Sequence, residues 1–441
     1  MSITRRSFLK TAGIAAIGSA IPMSSILGSN SVWTSNSNTL KVGVIGCGGR
    51  GTAAAGEAIN ADPNVIVTAM ADAFGDRLQE SYNTLKEKYG DKVQVPKENQ
   101  FVGLDAYQRL IDTDVDVVLL VAPTAFRPDH MEAAVKANKH MFAEKPYAVD
   151  SPGLRRVMAA AEEAKRKNLS LVSGFCWRYH YPKRQIFPKV LNGDIGNILT
   201  ADAFNNTTEL WYREKQKGET EMQHKMRNWL YYNWLSGDHI VEQAIHSIDM
   251  LQWAMGDITP VSVVGSGGRQ KRTDTKYGNV YDHFALKYRY PNGTTAFFSC
   301  RQQNNTSPSY GLDLVGSDGD MIVDNRTGLH EIRGRRPWRY EDSTKFTDDK
   351  SYESETVSRG MYQQEHDELF ASIRSGKPIN DGEWMTRSNL VALAGRAAGY
   401  TGQGILIEDV LASNEEIFPR NLTEDTKYDI PIAIPGITEF K

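Results

Sequence analysis

Cysteine is nearly missing from this chain of 441 residues: Cys47, Cys176 and Cys300 are too few and too scattered for a disulfide framework or a zinc site. Acidic residues are missing from the first 37 positions, whose only charged side chains are Arg5, Arg6 and Lys10. There is no uninterrupted apolar run fit to span a membrane. The stretch from Thr11 to Leu27 is broken by Gly13, Gly18, Pro22 and serines, and reads as the h-region of a signal. A basic excess is lacking too: residues 38–441 hold 48 Lys and Arg against 54 Asp and Glu, a net charge near −6, which argues against a nucleic-acid partner. No internal repeat is visible.

What is present begins with Thr4-Arg5-Arg6-Ser7-Phe8-Leu9-Lys10, which reads as a twin-arginine export signal. Residues 1–37 are therefore expected to be a signal peptide with a polar linker, handed to the Tat export machinery and delivering a folded protein to the periplasm. No Cys follows the apolar stretch before Cys47, so a lipoprotein is not expected. The remainder, in a chain 40% hydrophobic and 24% charged, is long enough for two domains with large cores.

From 38 to 174, short apolar runs (41–45, 65–71, 115–121, 140–143, 170–172) alternate with helical stretches such as 77–89 and 128–137. That alternation predicts an α/β domain with a doubly wound parallel sheet, of Rossmann type. From 175 to 441 the texture changes to alternating strands, with a hairpin across Pro291-Asn292-Gly293, further strands at 313–315 and 321–323, and helices at 237–253 and 361–375. This predicts an α+β domain with a large mixed or antiparallel sheet. The charged run 338–359 reads as an exposed excursion.

Gly46-x-Gly48-x-x-Gly51 follows the first strand and opens a helix, the setting in which this motif binds a dinucleotide. The helix N-terminus favours the pyrophosphate. Asp72, at the end of the second strand, suits the adenosine ribose hydroxyls and repels a ribose phosphate, so NAD is expected over NADP; Arg77 is the residue that favours NADP. Glu144-Lys145-Pro146 ends another strand at the carboxyl edge of the sheet, where Lys145 can reach both nicotinamide ribose and a substrate hydroxyl. In the second domain, His239, Glu242, His246 and Asp249 form a polar stripe on one face of a helix. The preceding Trp229, Tyr231, Tyr232 and Trp234 suggest an aromatic wall suited to sugar rings. His246 suits proton exchange near neutrality. Two His and a Glu on one face could also bind zinc, but no second ligand cluster lies nearby, and no metal is expected.

The glycine loop with its Arg50, the Ala122-Pro123 strand end, Glu144-Lys145-Pro146 and Glu242-x-x-x-His246 together resemble the Gfo/Idh/MocA oxidoreductases over residues 38 to 415. The resemblance implies a Rossmann domain followed by an open-faced sheet, carbohydrate or cyclitol substrates, and a homodimer or tetramer. It assigns catalysis to Lys145 and His246, with Glu242 where the family commonly has Asp. Cofactor contacts pass to Gly46, Gly48, Arg50, Gly51, Asp72, Arg77, Pro123, Glu144, Lys145, Trp177 and Arg178, the last two from the stretch 174–179. Together with the aromatic wall and the polar stripe, it gives the expected substrate contacts as Lys145, Tyr179, Trp234, His239, Glu242 and His246. Thr124 and Arg127 stand where many members carry Asn and His. The expected activity is NAD-dependent oxidation of a sugar, glycoside or cyclitol hydroxyl, with the cofactor held tightly because no free NAD pool exists outside the cytoplasm. An NAD-dependent glycoside hydrolase using transient oxidation and elimination, and a non-catalytic sugar-binding protein, are the competing readings.

Overall fold

The computed structural model describes residues 39–340, 360–419 and 421–441. The expected export signal, and most of the expected excursion at 338–359, lie outside the described residues.

Six parallel strands form the first sheet: β1 (Leu40–Ile45), β2 (Val65–Asp72), β3 (Gln100–Val102), β4 (Val117–Leu120), β5 (His140–Ala143) and β6 (Leu171–Ser173), in the order β3-β2-β1-β4-β5-β6. Val117 to Leu120 are all buried, as a strand must be when helices cover both faces of its sheet. The order reverses at β1/β4, so the crevice beyond the carboxyl ends of those strands is where a ligand fits. The short edge strand β3 has no apolar run to announce it.

The second sheet has nine strands: β7 (Ile198–Thr207), β8 (Ser262–Gly268), β9 (His283–Arg289), β10 (Thr295–Gln302), β11 (Ser309–Gly316), β12 (Gly319–Asp324), β13 (Leu329–Gly334), β14 (Trp338–Arg339) and β15 (Ile405–Leu406). The expected hairpin is β9/β10, and pairing is antiparallel throughout except that β10 runs parallel to β7. Alternate residues of β10 are buried, the period-two signature of a sheet covered on one face.

Two helices between β14 and β15 tie the halves together. Met361–Ser375 sends Leu369 and Phe370 into the core of the first sheet beside Val42 and Val117. Gly382–Thr401 is buried on most of its circumference and packs on both sheets' layers, its Asn389 accepting from the Tyr147 N–H at 2.7 Å. The C-terminal part of the chain thus also builds the first domain's core.

Candidate active site

The glycine loop closes on itself by contacts that exclude larger side chains. Gly46 sits at φ +97°, and a Cβ there would lie 2.5 Å from the Ala122 nitrogen. A Cβ on Gly51 would lie 1.8 Å from the Gly46 carbonyl oxygen. A Cβ on Gly48 would meet only Arg77 Nη1, at 3.9 Å. The loop is therefore packed tight where it meets β4 and open above the second glycine, which leaves room for a pyrophosphate. The following helix, Gly49–Ala61, has no side-chain cap, which leaves its N-terminus to an anion.

Asp72 staples this loop to β2: one carboxylate oxygen accepts from the Cys47 N–H at 2.6 Å and the other from the Phe74 N–H at 2.8 Å. Burial raises its pKa, and those backbone bonds oppose the rise. Asp72 lines a pocket of about 560 Å³ with Arg77, Pro123, Phe126 and Met226. Arg77 Nη2 is buried there without a hydrogen-bond partner, an orphaned donor that a cofactor oxygen would satisfy. The open loop, the uncapped helix and this donor fit a dinucleotide, and Asp72 beside them fits NAD.

The pocket's outer wall comes from the second half of the chain. The helix Glu221–Arg227 supplies Met226, and the Arg227 guanidinium stands 4.0 Å over the Phe74 ring and 2.8 Å from Asp76. The C-terminal segment fastens this strap. Lys225 donates to Asp429 at 2.5 Å and to the Tyr428 carbonyl at 2.9 Å, and Gln223 donates to Glu424 at 3.0 Å.

Beyond the loop lies a cleft of about 1550 Å³ that holds Lys145, Glu242 and His246 together with Trp177, Tyr310, Asn205, Gln243 and Asn325. Lys145 Nζ donates to the Glu242 carbonyl at 2.6 Å and its carboxylate at 3.2 Å. His246 packs on Trp177, ring centroids 5.0 Å apart. Burial, then the charges of Lys145 and Lys183, hold its imidazole well below its ordinary pKa, so it is a neutral base at neutral pH. Its Nδ1 is buried without a partner. Thr124 Oγ1, also at the cleft, is buried and unpartnered as well.

Several expected contacts sit elsewhere. The segment 237–253 is not one helix: a single turn at His239–Glu242 and a helix at Ile245–Ala254 are joined where the Ala244 N–H reaches back five residues to the His239 carbonyl at 2.9 Å. The wide turn changes the helical phase, so the polar stripe does not form. His246 faces the cleft, whereas His239 turns inward between Asp238 at 3.0 Å and Cys300 Sγ at 3.3 Å. Asp249 is buried against Arg178, which also holds Asp257 at 2.6 Å; Arg178 is therefore committed to two carboxylates and does not line the cleft. Tyr179 donates to buried Asp381 at 2.7 Å. Trp234 is fully buried against Phe418 and Tyr428. Neither ring reaches the cleft. Of the expected aromatic wall, Trp229 lines it, joined by Trp211, which sequence reasoning missed.

Arg50 and Glu144 do border the cleft, but their charges face each other. Arg50 Nε meets Glu144 at 2.5 Å, and its two other nitrogens meet Glu57 at 2.6 Å and Glu365 at 2.9 Å. Arg127 is buried and donates to the Leu120 and Ala122 carbonyls, with burial lowering its pKa to about 10. It braces the end of β4. Among the described residues no group of three or more His, Cys, Asp and Glu could hold a metal ion.

A switch-point crevice with a glycine loop, an acid ending β2 and a Lys/His pair in the adjoining cleft fits an NAD-dependent oxidoreductase. The chain belongs to the Gfo/Idh/MocA family: residues 40–172 match its oxidoreductase domain with NAD-binding Rossmann fold, and residues 189–322 match its C-terminal domain. A myo-inositol 2-dehydrogenase from Thermotoga maritima is 25% identical over 381 residues, 84% of this chain and 100% of the relative. A dTDP-3,4-didehydro-2,6-dideoxy-alpha-D-glucose 3-reductase from Actinomadura kijaniata is 31% identical over 164 residues, 37% of this chain; the match spans 44% of that relative, less than half its length. Two solved structures share the fold over 84% of this chain and 100% of their own. They are an aldose-aldose oxidoreductase from Caulobacter crescentus complexed with glycerol, at 20% identity and a TM-score of 0.65, and a levoglucosan dehydrogenase in complex with NADH and levoglucosan, at 18% and 0.62.

Proposed function

We propose that this protein oxidises a ring hydroxyl of a sugar, glycoside or cyclitol, with hydride transfer to tightly held NAD. The observation that carries the proposal is the convergence of Lys145, Glu242 and His246 in one cleft adjoining the glycine loop. NAD supplies the hydride acceptor. His246, held neutral, takes the hydroxyl proton as the carbon loses hydride, and the Lys145 ammonium stabilises negative charge developing on that oxygen. Glu242 fixes the Lys145 ammonium by two hydrogen bonds. Neutral Asn205, Gln243 and Asn325 offer donors and acceptors for further hydroxyls. The printed names of the relatives, an inositol dehydrogenase and oxidoreductases of aldoses and levoglucosan, support this substrate class.

Tight retention is supported by the strap over the adenosine pocket, and export by the residues from Thr4 to Lys10. We accordingly propose a periplasmic enzyme, exported by the twin-arginine route, whose NAD is reoxidised in place by a second substrate. Exposed Leu199, Val264, Phe297 and Val315, all on the second sheet, support a homo-oligomer built on that sheet. The test is to purify the exported protein, measure NAD released per chain, and follow reduced-nicotinamide absorbance as sugars and cyclitols are added. Protein that carries no NAD, binds none and responds to none of them refutes the proposal.

A further inference from the structure

The cleft is chemically two-sided. Beside the ionisable and amide side chains already described, its lining carries an apolar group, Leu210, Trp211, Trp229 and Leu230, and exposed Trp211 marks that end as the rim. Trp211 remains 41% exposed. A large exposed indole on an irregular segment is ordinarily mobile, yet this segment is pinned. The Tyr231 hydroxyl lies 3.0 Å from the Leu210 carbonyl and 3.1 Å from that of Trp211. Asn228, fully buried, accepts from the Arg213 N–H at 2.9 Å and donates to the Arg213 carbonyl at 2.9 Å. Arg213 in turn lies 5.1 Å from the Trp211 ring centroid and covers part of it. Hydrogen bonds from the buried Asn228 and Tyr231 side chains thus fix, in advance of any ligand, the backbone on either side of an aromatic ring at a cleft mouth.

We propose that the rim is a second subsite, in which Trp211 stacks on a second ring of the substrate. The substrate is then a glycoside rather than a free monosaccharide or cyclitol: its inner ring meets Lys145 and His246, and a group with a flat C–H or aromatic face lies on Trp211. Such a face gains from an indole with no hydrogen bond, which matches a rim made of two tryptophans and two leucines. This inference rests on the oxidoreductase reading for its inner ring only.

The test uses the NAD-loaded protein with glucose and myo-inositol as one-ring probes, and cellobiose and 4-nitrophenyl glucoside as two-ring probes. Binding is followed by calorimetry and oxidation by reduced-nicotinamide absorbance. The two-ring probes should exceed glucose in kcat/KM by about tenfold or more, and Trp211→Ala should collapse that ratio while Trp211→Phe restores most of it. Cellobiose favoured over the aryl glucoside identifies a sugar as the outer group, and the reverse identifies an aromatic aglycone. A one-ring probe oxidised as well as the two-ring probes, or a ratio untouched by Trp211→Ala in protein of normal melting temperature, overturns the subsite and leaves the oxidoreductase reading standing. Failure of all four probes to bind overturns the subsite, and the oxidoreductase reading falls with it only if the protein also neither carries nor binds NAD.

Discussion

Lys145 and Glu242, 97 positions apart, meet through two hydrogen bonds from one ammonium, one to a main-chain carbonyl and one to a carboxylate. The first ties Lys145 to the backbone of the second domain whatever residue stands at 242. The second depends on the carboxylate. Glu242→Gln should therefore lower turnover by about tenfold, less than loss of the lysine, since the carbonyl contact survives.

Lys145→Met should lower kcat by about 10²- to 10⁴-fold, the range of a lost proton-handling or charge-stabilising group, and leave NAD bound. The check is NAD released per chain beside the rate of reduced-nicotinamide formation. Normal turnover would remove Lys145 from the chemistry.

The acid limb of the pH profile should report His246. Its folded pKa lies well below 6.5, through burial first and then the Lys145 and Lys183 charges, so the base form persists below 6.5 and kcat/KM should stay level through that pH before falling. Lys145→Met removes one of the opposing positive charges and should move the acid limb of the residual activity to higher pH. A limb that moves down, or not at all, contradicts the assignment.

Gly51→Ala should cost about 3 kcal/mol or prevent folding, because its Cβ would sit 1.8 Å from a main-chain oxygen. Gly404→Ala, with nothing within 4 Å of its Cβ, is the control. Melting temperature and NAD content read both.

Arg178→Met should destabilise by about 3–5 kcal/mol, because it strands the buried Asp249 carboxylate. Adding Asp249→Asn should recover part of the loss in a thermal melt.

The residues that carry local chemistry were legible before the fold was known. Gly46, Gly48 and Gly51 work through backbone geometry within one turn, and Lys145 is placed by the strand it ends. What was not legible depends on distant partners. Nothing near Tyr179 announces Asp381, and nothing near His239 announces Cys300; burial by these partners removed both from the cleft. Trp234 belongs to a core completed by Phe418 and Tyr428. The wide turn at Ala244 leaves no compositional mark, yet it separates buried His239 from the face that presents His246 to the cleft. The helix Gly382–Thr401 was missed because burial around most of its circumference erases amphipathic periodicity. Trp211 could have been suspected as a bulky aromatic in a polar, irregular stretch.

The fastening of the strap sets an order of assembly. Glu424, Tyr428 and Asp429, which secure the helix Glu221–Arg227, leave the ribosome long after the glycine loop has emerged. The glycine loop can form early, but the wall beside the Asp72 pocket is locked only once these distant residues have been made. Closure of that pocket thereby becomes a late step of assembly.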